Sequence, residues 1–325
     1  MSRILGYTDR LSVRAGERIE VKVSCDGLAH YDARLVRVIQ GDVNPAGPGF
    51  REETIPVAQE GNYRGRYQPI HMGSFALVED NPVFRQSNSL TVQMLVWPTL
   101  PGFDEQTLMS RGNPNTGQGF RCFLDADGAF AFSIGSANGD SAVVSTGKPL
   151  IASRWYLVTA CHDAESGSLM VLQAPLDANP HVNDGGIGFA KAGFLADCMQ
   201  CSEPLFIAAR QAIDRPAREC FNGRIEAPRL LSGALGPSRA ESLVQCDSSG
   251  VIAAWDFSVG ISSQQIVDTG PNNLHGTLFN LPTRGVAGHL WNGEEHCWSR
   301  SPGHYAAIHF HDDDLYDCGW DTDFT

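Results

Sequence analysis

Residues 89–97, SLTVQMLVW, put Leu90, Val92, Met94 and Val96 on one parity and Thr91, Gln93, Leu95 and Trp97 on the other. Only a pleated strand satisfies a period of two. The same pattern recurs downstream. Phe120, Cys122 and Leu124 run into the turn residues Asp125 to Gly128, and Phe130, Phe132 and Ile134 return, which predicts a hairpin. Residues 154–161 and 168–173 predict another, and 205–210 and 221–231 predict further strands. With 34 Gly and 18 Pro set between such short runs, a chain of 325 residues is expected to be all-β. One short helix is expected where Ser238 and Glu241 have the spacing of a capping box. Residues 174–203, with Pro175, Pro180 and Gly185-Gly186, read as a loop excursion. The Gly186 and Gly188 pair there lacks the strand-then-helix context of a dinucleotide fingerprint.

Charge and cysteine usage exclude several function classes. The net charge is −13 and Lys and Arg do not cluster, so neither nucleic acid nor an anionic membrane is expected as a partner. The N-terminal MSRILGYTDRLSV has no apolar signal core, and no run approaches the ~18 apolar residues of a membrane span. Nine cysteines, an odd number without framework spacing, predict reduced thiols and a cytoplasmic setting. Cys198 and Cys201 form a CxxC without a second pair at zinc-ribbon distance, so two free thiols in a loop are expected there rather than a metal or redox centre.

Three regions follow from the pattern. In residues 1–72, Ile19, Val21, Val23 and Cys25 alternate with polar residues, residues 33–39 form a second run, and DVNPAGPGF at 42–50 is a loop. A third extended piece is expected near 67–70. Three or four strands are too few to bury two faces, so something else must complete this unit. Residues 73–293 hold the longer strand series. In residues 294–325, Tyr305, Ala307, His309 and His311 alternate with Ala306, Ile308 and Phe310, and Asp312, Asp313 and Asp314 follow. Two imidazoles on one strand face beside carboxylates suit a transition metal, which makes His309, His311, Asp312 and Asp313 weak metal candidates. The favoured alternative is a His/Asp-rich strand end, His309, His311 and Asp312 to Asp314, that faces solvent or another domain. Trp320 and Phe324 open a new alternating run at the very end, so the chain reads as the front part of a longer polypeptide, and the strand Tyr305–His311 is expected to return to the first region and pair near Ile19 to Cys25. Trp97, Trp155, Trp291 and Trp298 are read as core aromatics in preference to a stacking platform.

Residues 251–291 carry, in order, Trp255-Asp256-Phe257, a turn at Asp268-Thr269-Gly270, and His275-Gly276-Thr277-Leu278. Together with FNGRIEAPRLLSGALG at 221–236, this order resembles laminin-G-like, concanavalin-type sandwiches. The resemblance implies a jelly-roll sandwich over 73–293, inserted in or following a small split, Ig-like β-sandwich. It does not name a function, because such sandwiches serve many.

A second resemblance spans the whole chain. GYTDRLSVRAGERIEVKVSC, the NPAGPGFREE loop and above all HYAAIHFHDDDLYDCGW are similar to the large subunit of the N,N-dimethylformamidase family. That resemblance implies hydrolysis of N,N-dialkylformamides to formate and the amine, a mononuclear iron held by tyrosines and a glutamate, a small partner subunit and homo-oligomerisation. It implies that the iron ligands lie beyond the matched stretch, so no catalytic residue and no cofactor is assigned to this chain, and the chain alone is expected to be inactive. No GxSxG elbow, HExxH or P-loop suggests another chemistry. The alternative is a non-catalytic laminin-G-like module that binds glycan or protein.

Overall fold

The computed structural model describes residues 4–10, 13–42, 44, 46–67, 71, 73–177, 179–191, 197–291 and 306–311. The chain divides into two compact units, Met1–Ile70 and His71–Thr325.

The first unit is a set of antiparallel pairs. β1 (Ile4–Thr8) pairs with β2 (Val21–Cys25), in register Gly6 to Val23. Four further strands, β3 (His30–Ala33), β4 (Val36–Gln40), β5 (Arg51–Thr54) and β6 (Gly61–Arg64), nest as β4 against β5 inside β3 against β6. Tyr31 and Tyr63 face each other across the outer pair and stack at 5.6 Å. The piece expected near 67–70 lies mostly outside the described residues.

The second unit begins with β7 (Phe75–Val78), β8 (Leu90–Pro98), β9 (Gln106–Gly112), β10 (Gly119–Leu124), β11 (Ala129–Gly135) and β12 (Ser141–Pro149). It continues with β13 (Tyr156–Asp163), β14 (Ser168–Pro175), β15 (Gly186–Lys191), β16 (Leu205–Ile207), β17 (Arg210–Gln211) and β18 (Ala217–Arg218). The last strands are β19 (Gly223–Ser232), β20 (Val251–Asp256), β21 (Gln265–Asp268), β22 (Gly276–Phe279), β23 (Thr283–Val286) and β24 (Ala307–Phe310). One layer runs β12-β11-β10-β9-β16-β7-β22-β21 and the other β20-β19-β8-β13-β14-β15, joined where β20 pairs with β21. The alternating residues meet between the layers. Val92, Met94, Val96, Val158 and Ala160 from one layer and Phe120, Cys122, Phe130, Phe132 and Ile134 from the other share a dry core. Burial of each large apolar side chain there contributes about 1.5–3 kcal/mol.

Three expectations are corrected. Residues 174–203 are not wholly irregular, because β15 pairs with β14 in register Gly188 to Val171. Glycine hid this strand; a Cβ on Gly188 would collide with the Ser145 carbonyl of β12, so the close approach itself requires glycine. The helix is Pro237–Ala240, with Gly236 as its N-cap and no side-chain cap bond. Pro237 presets the first helical φ, and Ser238 falls inside the helix instead of before it. Most importantly, β24 does not pair with β2. It lies between β19 and β23, in register Arg224 to His309 and Thr283 to His309, and so completes the sandwich.

The segment 251–291 closes the sandwich as its turn chemistry suggests. The Asp268 carboxylate accepts from the amides of Ala254 (2.9 Å), Gly270 (2.8 Å) and Leu274 (2.8 Å), and the Trp255 indole donates to the Leu274 carbonyl at 2.7 Å. One carboxylate thereby satisfies three N–H groups at the chain reversal.

Candidate functional site

The far edge of β19 is shared. Residues 223–226 pair with β24 and residues 229–231 with β20, and a bulge separates the two. The bulge contains Ala227 at φ +48° and Pro228, which has no amide to donate to a ladder. The Ala307–Phe310 segment therefore has a reserved place. Ile308 and Phe310 enter the core, where Phe310 meets Phe257 edge-on at 6.4 Å. His309 takes the opposite face.

On that face one row crosses the sheet. Trp97 of β8 stands opposite Arg224 of β19, Arg224 opposite His309, and His309 opposite Thr283 of β23. The Arg224 guanidinium lies 4.4 Å from the centre of the Trp97 ring, a cation–π arrangement, and donates to the Ala287 carbonyl at 3.3 Å. Two residues along β19, the Glu226 carboxylate accepts from the His289 amide and from His289 Nδ1, each at 2.8 Å. The His289 ring meets Trp155 edge-on at 6.4 Å. Arg224, Glu226 and His309 are all buried. His309 is only 2% exposed, so it is not the solvent-facing residue that alternation alone suggested. His311 is half-buried and tied by its backbone, its amide donating to Ser74 Oγ at 3.0 Å and its carbonyl accepting from the Ser74 amide at 2.8 Å.

The structure thus joins His309 to residues that motif reading missed, namely Arg224, Glu226 and His289. A signal for the first two existed. In FNGRIEAPRLL they flank Ile225, so two charges share the face opposite a core residue. His289 comes from a turn and left no such trace. Asp312, Asp313, Asp314 and Trp298 lie outside the described residues. Trp97 and Trp155 are half-buried and Trp291 is 43% exposed, so none of these three is a core tryptophan. Among the described residues the tryptophan of the core is Trp255.

A second polar knot holds the CxxC segment. Arg111, fully buried, pairs with Asp80 at 2.8 Å, donates to the carbonyls of Met199 (3.0 Å) and Cys201, and lies 5.0 Å over the Phe84 ring. Burial alone would raise the Asp80 carboxyl, but hydrogen bonds from Arg85 and Arg111 outweigh it and hold the group below its ordinary value. Cys198 Sγ is 3.7 Å from His162 Nδ1, which is itself 3.1 Å from the Asn88 carbonyl. Burial pushes the Cys198 thiol up to about 12 and pushes His162 down, so both are neutral near pH 7. A buried neutral pair of this kind is packing and not a nucleophile. Cys198 and Cys201 both stand as thiols.

The row is a buried cluster of polar and charged side chains on the sheet face away from the core. Among the described residues no three His, Cys, Asp or Glu side chains are placed to hold a metal ion.

Fold and closure define a concanavalin A-like β-sandwich protein, and residues 73–172 match the family model described as the concanavalin A-like lectin/glucanases superfamily. Over 99% of its length the chain is related to the N,N-dimethylformamidase beta subunit, at 33% identity to that of Paracoccus aminophilus and 34% to that of an Alcaligenes species. It spans 45% of the length of each of these relatives. Solved structures to which the chain shows similarity include the SAP-like pentraxin of Limulus polyphemus, 14% identical with a TM-score of 0.37 over 56% of this chain and 80% of that one. Another is the Ruminococcus gnavus sialidase CBM40 with α2,3-sialyllactose, 12% identical with a TM-score of 0.43 over 53% and 92%. Among the described residues no helix is long and apolar enough to cross a membrane.

Proposed function

We propose that this chain is the β-rich part of an amidohydrolase large subunit that, complete and with a small partner subunit, hydrolyses N,N-dialkylformamides to formate and dialkylamine. The observation that carries this reading is 33–34% identity to dimethylformamidase beta subunits across 99% of the chain. The sandwich acts as scaffold. Iron and its ligands belong to the part of the subunit outside this chain, and β24 leads from the row at Arg224 and His309 into Asp312 to Asp314, where we place the contact with that part. Homo-oligomerisation and a cytoplasmic setting go with this reading; the second is supported by thiols at all seven described cysteines.

The test compares the 325-residue chain with the complete subunit co-expressed with its small partner. Incubated with N,N-dimethylformamide and followed by proton NMR, the complex should release formate and dimethylamine in equal amounts, and the chain alone neither. Hydrolysis by the chain alone would overturn the scaffold role. A complex that leaves all formamides intact would overturn the enzyme reading, and glycan binding by the sandwich would then replace it.

A further inference from the structure

We infer that the Met1–Ile70 unit accepts an additional β-strand along β4, and that a later segment of the same longer polypeptide supplies it. This rests on the reading of the chain as part of a larger subunit. Among the described residues β4 pairs only with β5, which leaves its other edge open. In and beside this ladder the apolar residues are uncovered: Leu35, Val38, Ile39 and Phe50 are 50–54% exposed. Among the described residues of the same unit only Cys25 is a buried hydrophobic residue, so the described strands enclose no core of their own. An open edge flanked by exposed Val, Ile and Leu templates strand addition.

The two edges of the ladder differ in how they are guarded. β5 reads Arg51-Glu52-Glu53-Thr54, whose charges block an incoming strand, whereas β4 reads Val36-Arg37-Val38-Ile39-Gln40 with one charge. Residues 1–70 hold ten Lys and Arg against nine Asp and Glu, so the unit is nearly neutral although the chain carries −13. An apolar, hydrogen-bonding strand fits this surface and a strongly charged partner does not. Length identifies the source. The chain spans 45% of its curated relatives, so such a subunit has more than half of its residues outside the matched stretch. A segment tethered to the same chain meets the edge at an effective concentration on the order of millimolar, which no second copy at ordinary concentration equals.

Hydrogen–deuterium exchange of the amides in Val36–Gln40 tests this, in the complete subunit and in the 325-residue chain. The complete subunit should protect the amides not bonded to β5 at least tenfold more, at any protein concentration. Equal exchange in both chains overturns the inference. Protection that grows with the concentration of the 325-residue chain assigns the edge to a second copy, and protection that needs the small subunit assigns it to that partner; either overturns the tethered strand. Val38→Lys in the complete subunit should abolish the added protection. Formate release, read separately, reports on the enzyme reading and not on this one.

Discussion

Met1–Ile70 and His71–Thr325 are both built of short antiparallel strands, yet they solve burial differently. Every strand of β8 and β13 is packed on both faces: one side enters the core through Met94 and Val158, and the other is covered by the helix segment, which Gln93 ties down. Gln93 Nε2 donates to Thr159 Oγ1 at 3.1 Å and to the Ser242 carbonyl at 3.0 Å, and its oxygen accepts from the Val244 amide at 3.0 Å. In the first unit Val21 is 65% exposed and Leu5 55%. Strand-forming sequence is therefore not sufficient for a core. What separates the two units is the number of strands that can share two layers, since isolated two-stranded ladders are marginal in water.

The largest expected effect at a polar group breaks the sandwich at its buried ion. Arg111→Met removes one of the two cations on Asp80 and orphans the carbonyl of Met199, with Arg85 left as the remaining donor to both Asp80 and the Cys201 carbonyl. Asp80 is partly exposed and keeps Arg85, so the expected cost is that of the buried groups left unsatisfied, about 1–3 kcal/mol. Urea denaturation of the variant measures it. A loss below ~1 kcal/mol would mean that Arg85 and packing hold the CxxC segment without Arg111.

Much of the sandwich was legible because alternation survives wherever a strand has one core face: the hairpin at 119–135 and the strand at 89–97 were read with small boundary errors. The parts that were not legible have local causes. On one parity β15 has only Gly186, Gly188 and Ala190, so the face turned to its neighbours has almost no side chain to carry the period of two. β24 was read correctly as a strand burying Ile308 and Phe310, but its partner was misassigned to the first unit. The sequence shows that an apolar face exists, not which layer needs it, and the decisive feature was the bulge at Ala227 and Pro228 on a strand 80 residues away, which opens an edge inside the sandwich. At the site, His309 was found by its motif, while its neighbours Arg224 and Glu226 were set beside it by strand register, a long-range property.

A smaller effect sharpens the comparison by pH. His162 faces the Cys198 thiol and the Asn88 carbonyl inside the sandwich, with Asp163 next to it in sequence, and burial lowers its pKa. The unfolded chain binds a proton at this ring near pH ~6.5, at which the folded ring stays neutral. Its contribution to stability is therefore present above that pH and declines as pH falls below it. The Asp80 contribution, from a carboxyl held low, persists until pH falls through ~3.9 and lower. The thermal midpoint of the sandwich should drop between pH 6.5 and 5, and His162→Gln should flatten that drop. A midpoint unchanged across this interval in the native chain would show that His162 gains its proton without cost.

The smallest effect is expected where the first unit has nothing to lose. Val21 of β2 is 65% exposed, so Val21→Ala in the 325-residue chain should change stability by no more than about 0.5 kcal/mol. Leu90→Ala supplies the reference in the sandwich. Leu90 is fully buried in the core, and truncation there costs about 2–5 kcal/mol through lost transfer free energy and a residual cavity. Denaturation midpoints of the two variants, read with amide exchange in residues 21–25, set the units side by side. If Val21→Ala costs more than ~1.5 kcal/mol, the first unit has a dry interior that uses this residue, and the contrast between an enclosed sandwich and open ladders fails. If the small cost holds in the 325-residue chain but rises in the complete subunit, the first unit becomes a core only when strands from outside this stretch join it.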